Sequence, residues 1–444
     1  MLEPIRRRFS RAVYSMLLCM LSPVYLARLW WRGRVEPLYR HALAERLGRY
    51  EAQPSGHGDA FVWVHAVSLG ETRAAASLLN ALRERETNLR LLLTHGTATG
   101  RQAGLALLRE GDVQAWLPYD TPAVVRRFFS HFKPALGVLM ETEVWPNLIL
   151  GAQAAGVPMA LANARLSERS LRKALRLDVV LRPAAQALNI VLAQSVQDAD
   201  RLSTCGARNI AVCGNLKFDM TPAPELLATG KAWRARLSSR NVILLAASRE
   251  GEEAELLLRW MHLKPSALLV IVPRHPQRFD EVATLVREQG LALVRRSEFT
   301  PESYHEVVDT ALQADVWLGD SMGEMPMYYA LADVALLGGS FAALGGQNLI
   351  EACACACPLV LGPHTFNFAE AATLALDAGA ALRVRDLEQG LPTALELCAA
   401  PVRRQAMSQA ALDFAGAHRG ASARMADALL ALKRDAHKPR AHAV

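Results

Sequence analysis

Two nucleotide-binding fingerprints are missing from this chain. No G-x-G-x-x-G follows an apolar run and no G-x-x-x-x-G-K-[ST] occurs, so dinucleotide and P-loop readings lack the glycines that let backbone approach a phosphate. Cysteine is scarce and unpatterned. The seven cysteines have no framework spacing, which excludes a disulfide scaffold and points to a reducing compartment. The one cluster, "CACAC" (Cys353–Cys357), has no nearby histidine pair and matches no common zinc pattern, so it reads as small buried residues. Excess charge is absent from most of the chain as well. Residues 1–50 carry ten arginines and three glutamates, a net of +7, and the whole protein is also +7. The remainder is therefore neutral overall, which excludes a broad nucleic-acid-binding surface. A basic N-terminus of this kind suits anionic lipid.

What is present begins with the longest uncharged run, "AVYSMLLCMLSPVYLA", Ala12–Ala27. As a helix it measures ~24 Å, short of a ~30 Å hydrocarbon core. Arg11 and Arg28 are placed to snorkel and Trp30 and Trp31 suit the headgroup layer. No small-residue cleavage site follows, so the expectation is a retained anchor over residues 1–34 and not a removable signal peptide.

Past residue 60 the chain repeats one theme: a short apolar strand, a polar or glycine break, then a helical pattern. The first half offers "FVWVHA", "LRLLLTHG", "ALGVLME", "VPMALANA", "NIVLAQS" and "IAVCGN". The second offers "VILLAAS", "ALLVIVPR", "ALVRRS", "DVWLGD", "DVALLGG" and "CPLVLG". Alternating βα units imply parallel sheets with helices on both faces. Two sets of about six strands predict an α/β protein of two doubly wound, Rossmann-like domains, residues 35–222 and 223–430, with a basic, disordered tail over 431–444. The seam falls near the proline-interrupted segment Asp219–Trp233. Ligands of such sheets bind beyond the carboxyl ends of the strands, so the plan is two lobes facing a central cleft.

Candidate chemistry sits at those strand ends. In "SLGE", Ser68 lies three residues before Glu71, the spacing of a capping box. The same carboxylate would stand as a base at the mouth of a site, and both readings stay open. Glu141 and Glu143 end another strand and share a face if extended. Lys217 ends a third. "VPRHP" places Arg274 after an apolar strand, as a fork for phosphate oxygens. "GDSMGEM" offers successive backbone donors around Met322 and Gly323, and "HGTATG" is a further glycine-containing break. "GGQNLIEA" supplies Asn348 as a helix cap and Glu351 as an acceptor for ribose hydroxyls. Asp198-x-Asp200 resembles a metal-binding pair but falls on a helical pattern, so it reads as surface.

Together these segments resemble the 3-deoxy-D-manno-oct-2-ulosonic acid (Kdo) transferases of Gram-negative bacteria. The matching stretches are "HAVSLGETRAA", "LPYDTP", "METEVWPNLI", "LANARLSERS", "GNLKFD", "VPRHPQRF", "GDSMGE", "GGSFAALGGQNLIEA" and "GPHTFNF", in family order from about residue 60 to 368. The resemblance implies a GT-B fold and an inverting transfer of Kdo from CMP-Kdo to a lipid A precursor, lipid IVA, in lipopolysaccharide biosynthesis. It implies no cofactor, no metal, no nucleic acid, and a place on the cytoplasmic side of the inner membrane against anionic lipid. By position, Glu71 matches the family's proton acceptor, and Glu141 and Lys217 its transition-state stabilisers. Pro273, Arg274, Met322, Gly323, Glu324, Asn348, Leu349, Ile350 and Glu351 match its CMP-binding segments. One departure is Arg249 in "ASREGEE", where the family often has histidine. The alternatives are a membrane-associated GT-B transferase with another nucleotide-sugar donor, or a membrane-tethered nucleotide-binding protein without catalysis.

Overall fold

A computed structural model describes residues 2–51, 60–219, 221–299 and 312–437. The chain divides into two compact units, Met1–Asp219 with Gly420–Val444, and Met220–Arg419. Each is built on a seven-stranded sheet whose neighbouring strands all run parallel.

In the first unit the strands are β1 (Val62–His65), β2 (Leu91–His95), β3 (Val113–Trp116), β4 (Leu136–Met140), β5 (Met159–Ala164), β6 (Ile190–Ala193) and β7 (Ile210–Val212). Their order is β3-β2-β1-β4-β5-β6-β7. Side chains alternate across the sheet, and both faces are covered. Val62 and Val64 enter one core cluster, while Phe61 and Trp63 enter the other with Phe128 and Phe129. That two-sided burial is why β1 is apolar at every position but its last.

The second unit contains β8 (Val242–Ser248), β9 (Leu268–Pro273), β10 (Leu293–Arg295), β11 (Val316–Leu318), β12 (Val334–Leu337), β13 (Leu359–Leu361) and β14 (Ala381–Arg383). Their order is β10-β11-β9-β8-β12-β13-β14. β3 and β14 were not legible in the sequence. Both are edge strands, β3 starting half-buried at Val113 and Gln114 and β14 only three residues long, so neither carries the long apolar run of the central strands.

The C-terminal segment also differs from the sequence reading, which carried the second domain on to residue 430 and began a disordered tail at 431. Instead the helix Ala421–His437 packs on the first unit. Ala421, Met425, Ala426, Leu429 and Leu430 form its apolar stripe and join the cluster of Val62 and Val64. At ~1.5–3 kcal/mol per large apolar side chain buried, such a stripe needs a covering partner. Asp219 pins its start by accepting from the Gly420 N–H at 2.6 Å and from the Ser422 N–H. The rest of the expected tail, 438–444, lies outside the described residues.

The N-terminal helix, Leu2–Arg32, is 31 residues long. Its stretch Arg8–Arg32 is long and apolar enough to cross a membrane by length and composition. One side bears exposed Met16, Leu17, Met20, Leu21, Val24 and Trp31. The other docks on the first unit. Arg11 Nε donates to Asn147 Oδ1 at 2.9 Å, the Tyr14 hydroxyl to Asp120 at 2.8 Å, and Tyr25 stacks on Tyr119. Arg11, expected to snorkel, is thus committed to the protein.

Candidate functional site

The order of the first sheet reverses between β1 and β4, because β2 and β3 extend one way and β5 to β7 the other. Ligand sites of doubly wound sheets lie beyond the carboxyl ends at such a point. Glu71 follows β1, and Glu141 follows β4.

Glu71 sits in the first turn of the helix Leu69–Arg85. Its N–H donates to the capping Ser68 Oγ at 3.4 Å, and its carboxylate reaches back to accept from the Val67 N–H at 2.6 Å and the Ser68 hydroxyl at 3.2 Å. The bonding is a variant of the capping box, with Ser68 as N-cap and the return bond taken from the Val67 N–H, one residue before the cap. It does not exhaust the carboxylate, which has about four lone-pair sites. Burial, followed by the neighbouring charges of Glu141 and Glu143, pushes the Glu71 carboxyl up to about 7 against the pull of its two hydrogen bonds. A carboxylate tuned close to neutrality suits a general base.

The loop that presents it is braced from β2. Gly96 N–H, Thr97 N–H and the Thr97 hydroxyl all donate to the Val67 carbonyl at 3.0–3.1 Å. The Gly96 and Thr97 amides of the "HGTATG" break are spent on this brace. Behind it, His95 Nδ1 lies 2.9 Å from the Ala66 carbonyl and Nε2 lies 3.1 Å from Gln114 Nε2. A carbonyl only accepts, so the proton is on Nδ1. Burial holds His95 down at about 4, which keeps this neutral tautomer.

Glu141 is buried and carries a backbone φ of +59°, as Asn163 at the end of β5 carries +52°. Left-handed backbone in residues other than glycine costs of order 1–3 kcal/mol, and the packing around these strand ends sustains it twice. Arg165 Nε donates to Glu141 Oε2 at 2.8 Å. Asn163 Oδ1 accepts from the Leu216 N–H at 3.0 Å, which ties the turn Leu216–Asp219 to β5. Lys217 stands in that turn. Burial pulls its ammonium below the usual lysine range, while Glu141 and Glu71 act the other way. Glu71, Glu141 and Lys217, from three separate segments, are thus electrostatic neighbours. Glu143 joins them, raised by burial and by Glu141, and accepts from Trp145 Nε1 at 2.5 Å. Among the described residues no three His, Cys, Asp or Glu side chains form a metal-holding group.

In the second unit the order reverses between β8 and β12. Pro273 ends β9 and Arg274 follows it, Met322, Gly323 and Glu324 follow β11, and Asn348 to Glu351 open the helix after β12. All therefore lie at the carboxyl ends of β9, β11 and β12, around β8. Arg274 and Met322 are exposed, and Gly323 has φ +83°. Glu324 accepts from Arg296 Nη2 at 2.8 Å. Asn348 caps its helix through the Ile350 N–H at 3.2 Å. Leu349 and Ile350 are buried, so only their backbone can face a ligand.

Sequence reasoning passed over Glu252 and Glu253. Glu252 accepts from the N–H groups of Gly339, Phe341 and Ala342 and from the Arg249 N–H. It anchors the glycine loop after β12, where a Cβ on Gly338 would come within 2.6 Å of the Ala247 carbonyl. Glu253 accepts from Ser248 and Arg278. Two acids opening a helix look like dipole complements from sequence; their burial is a tertiary property. Asp198, read as surface, is likewise buried and accepts from the Leu166 N–H at 2.8 Å, whereas Cys353 and Cys357 lie in the interior as expected.

Residues 41–220 match the family model described as 3-deoxy-D-manno-octulosonic-acid transferase (kdotransferase). A 3-deoxy-D-manno-octulosonic acid transferase of Bordetella pertussis is 49% identical over 95% of this chain and 99% of its own. The chain belongs to the Kdo transferase family. The homologous transferase of Haemophilus influenzae is 32% identical over 94% of this chain and 98% of its own. A glycosyltransferase structure from Rickettsia africae aligns at TM-score 0.55 and 12% identity, covering 86% of this chain and 99% of that one; it speaks for the fold alone. The protein is a glycosyltransferase of the GT-B class, a Kdo transferase of lipopolysaccharide biosynthesis with an N-terminal apolar helix.

Proposed function

We propose that this transferase moves Kdo from CMP-Kdo to lipid IVA, with inversion at the sugar carbon and Glu71 as proton acceptor. The observation that carries the reading is the gathering of Glu71, Glu141 and Lys217 at the switch point of the first sheet, in a chain of this family. The acceptor hydroxyl oxygen forms the new bond to the sugar carbon and its proton passes to Glu71. The bond from that carbon to the CMP phosphate breaks, and its electron pair leaves with CMP. Glu141 favours the oxocarbenium-like carbon, and Lys217 holds the sugar carboxylate or the departing phosphate.

The CMP seat in this proposal is formed by Arg274, the Met322–Glu324 loop and the Asn348–Glu351 helix start. Arginine and helix amides neutralise a phosphate, and Glu351 accepts from ribose hydroxyls. The exposed apolar side of the N-terminal helix supports seating on anionic lipid of the inner membrane, with both units on the cytoplasmic side. Purified protein given CMP-Kdo and lipid IVA should release CMP and add Kdo mass to the lipid, read by mass spectrometry. Transfer from another nucleotide sugar only, or CMP binding without turnover, would refute the reading.

A further inference from the structure

The first unit holds an apolar cavity of about 330 Å³ beside Glu141. Its walls include Leu161, Leu177, Leu181, Leu188 and Leu202, and Thr142 and Arg165 bring it to the carboxylate. Arg165 is the residue that donates to Glu141 at 2.8 Å. A second cavity, about 350 Å³, shares Thr142, Val144, Leu177 and Leu181 with the first and is lined on its far side by Tyr14 of the N-terminal helix. The shared lining sets the two side by side, with Tyr14 and Glu143 at the second and Arg165 at the first.

The element over the first cavity is unusual. The helix Glu168–Arg176 buries none of its residues, although its sequence "ERSLRKALR" is sharply amphipathic. Ala174 and Lys173 line the cavity, Leu175 and Leu177 stay exposed, and Arg169, Arg172 and Arg176 face solvent. An apolar slot rimmed by arginine and lysine matches a ligand with a hydrocarbon tail and an anionic head. Asp198 keeps the floor in place by holding the Leu166 backbone.

We infer that this cavity is a subsite for one fatty acyl chain of the acceptor lipid, with Arg165 and Lys173 meeting its phosphorylated head. The inference rests on the lipid-acceptor reading above. The seated chain sets the height of the sugar hydroxyl against Glu71 and Glu141. Acylation is then read as a positioning signal, not merely as a means of staying in the membrane.

The test compares lipid IVA with the same bisphosphorylated disaccharide stripped of its acyl chains, both in detergent at fixed CMP-Kdo. Wild-type enzyme should show a KM at least tenfold lower for the acylated acceptor. Ala174→Trp, and independently Cys205→Phe, both lining residues from different segments, should abolish that preference by raising the KM for lipid IVA alone. Turnover of the stripped acceptor and the KM for CMP-Kdo should be unchanged, which also reports that the variants are folded. Filled variants that keep the wild-type preference overturn the subsite, as does an equal loss on both acceptors. Wild-type enzyme that uses neither acceptor overturns the functional reading instead.

Discussion

Replacing Glu71 by glutamine separates its two roles. The amide carbonyl of the new side chain can still accept from the Val67 N–H, which in the wild type donates to the carboxylate at 2.6 Å, so the cap survives while the base is lost. General-base catalysis typically contributes ~10²–10⁴ in rate, and kcat/KM of Glu71→Gln should fall by that factor. Stability should not follow. A carboxyl raised from 4.5 to about 7 holds its proton more tightly folded than unfolded, so ionising it lowers stability as pH rises through that window. At pH 8 the glutamine variant should therefore melt no lower than wild type. Glu71→Ala also removes the acceptor of the Val67 N–H and the Ser68 hydroxyl, about 1 kcal/mol for a lost hydrogen bond, and should lower Tm as well as activity. Wild-type kcat/KM should itself climb with pH, since about one tenth of a group titrating near 7 is ionised at pH 6 and about nine tenths at pH 8. Stopped assays of CMP release between pH 5.5 and 8.5 measure this limb. A glutamine variant with more than a tenth of wild-type kcat/KM, or the same pH limb persisting in it, would return Glu71 to the cap alone.

Glu143→Gln removes a like charge that acts on Glu71 yet keeps an acceptor for Trp145, so the acidic limb should move below pH 7 in the same assay. Arg274→Ala should raise the KM for CMP-Kdo by ~10–100-fold, as expected for a lost charge-assisted bond, with the KM for the lipid unchanged. Glu252→Ala leaves the Gly339, Phe341 and Ala342 amides without their carboxylate; at ~1–3 kcal/mol for each buried group left unmade, urea unfolding should show a clear loss of stability. Activity should survive EDTA, and a loss restored by magnesium would contradict the proposed mechanism.

The repeating βα grammar was readable because strands covered on both faces are largely apolar, and central strands such as β1, β4, β8 and β9 follow that rule apart from a polar last residue in β1 (His65) and β8 (Ser248). Glu71 and Asn348 were legible as capping residues because capping acts over two to four residues of chain. β3 and β14 were not, since an edge strand tolerates Gln114 or Arg383. Sequence distance hid the rest: Arg165 meets Glu141 across 24 positions, and Asp198 reaches the Leu166 backbone across 32.

By itself, then, the sequence determined the local choices: two parallel α/β units, a basic apolar N-terminus, capped helix starts, and the motifs that carry the family. Tertiary structure alone decided which charges would be neighbours and how dry they would be. Carboxylate tuning follows from solvent exclusion and nearby charge, and both are set by strands far apart in the chain. Packing likewise sent the C-terminal helix back to the first unit and hollowed an apolar slot beside Glu141, because a buried stripe is satisfied by whichever surface lies open to it, not by the residues next to it in sequence.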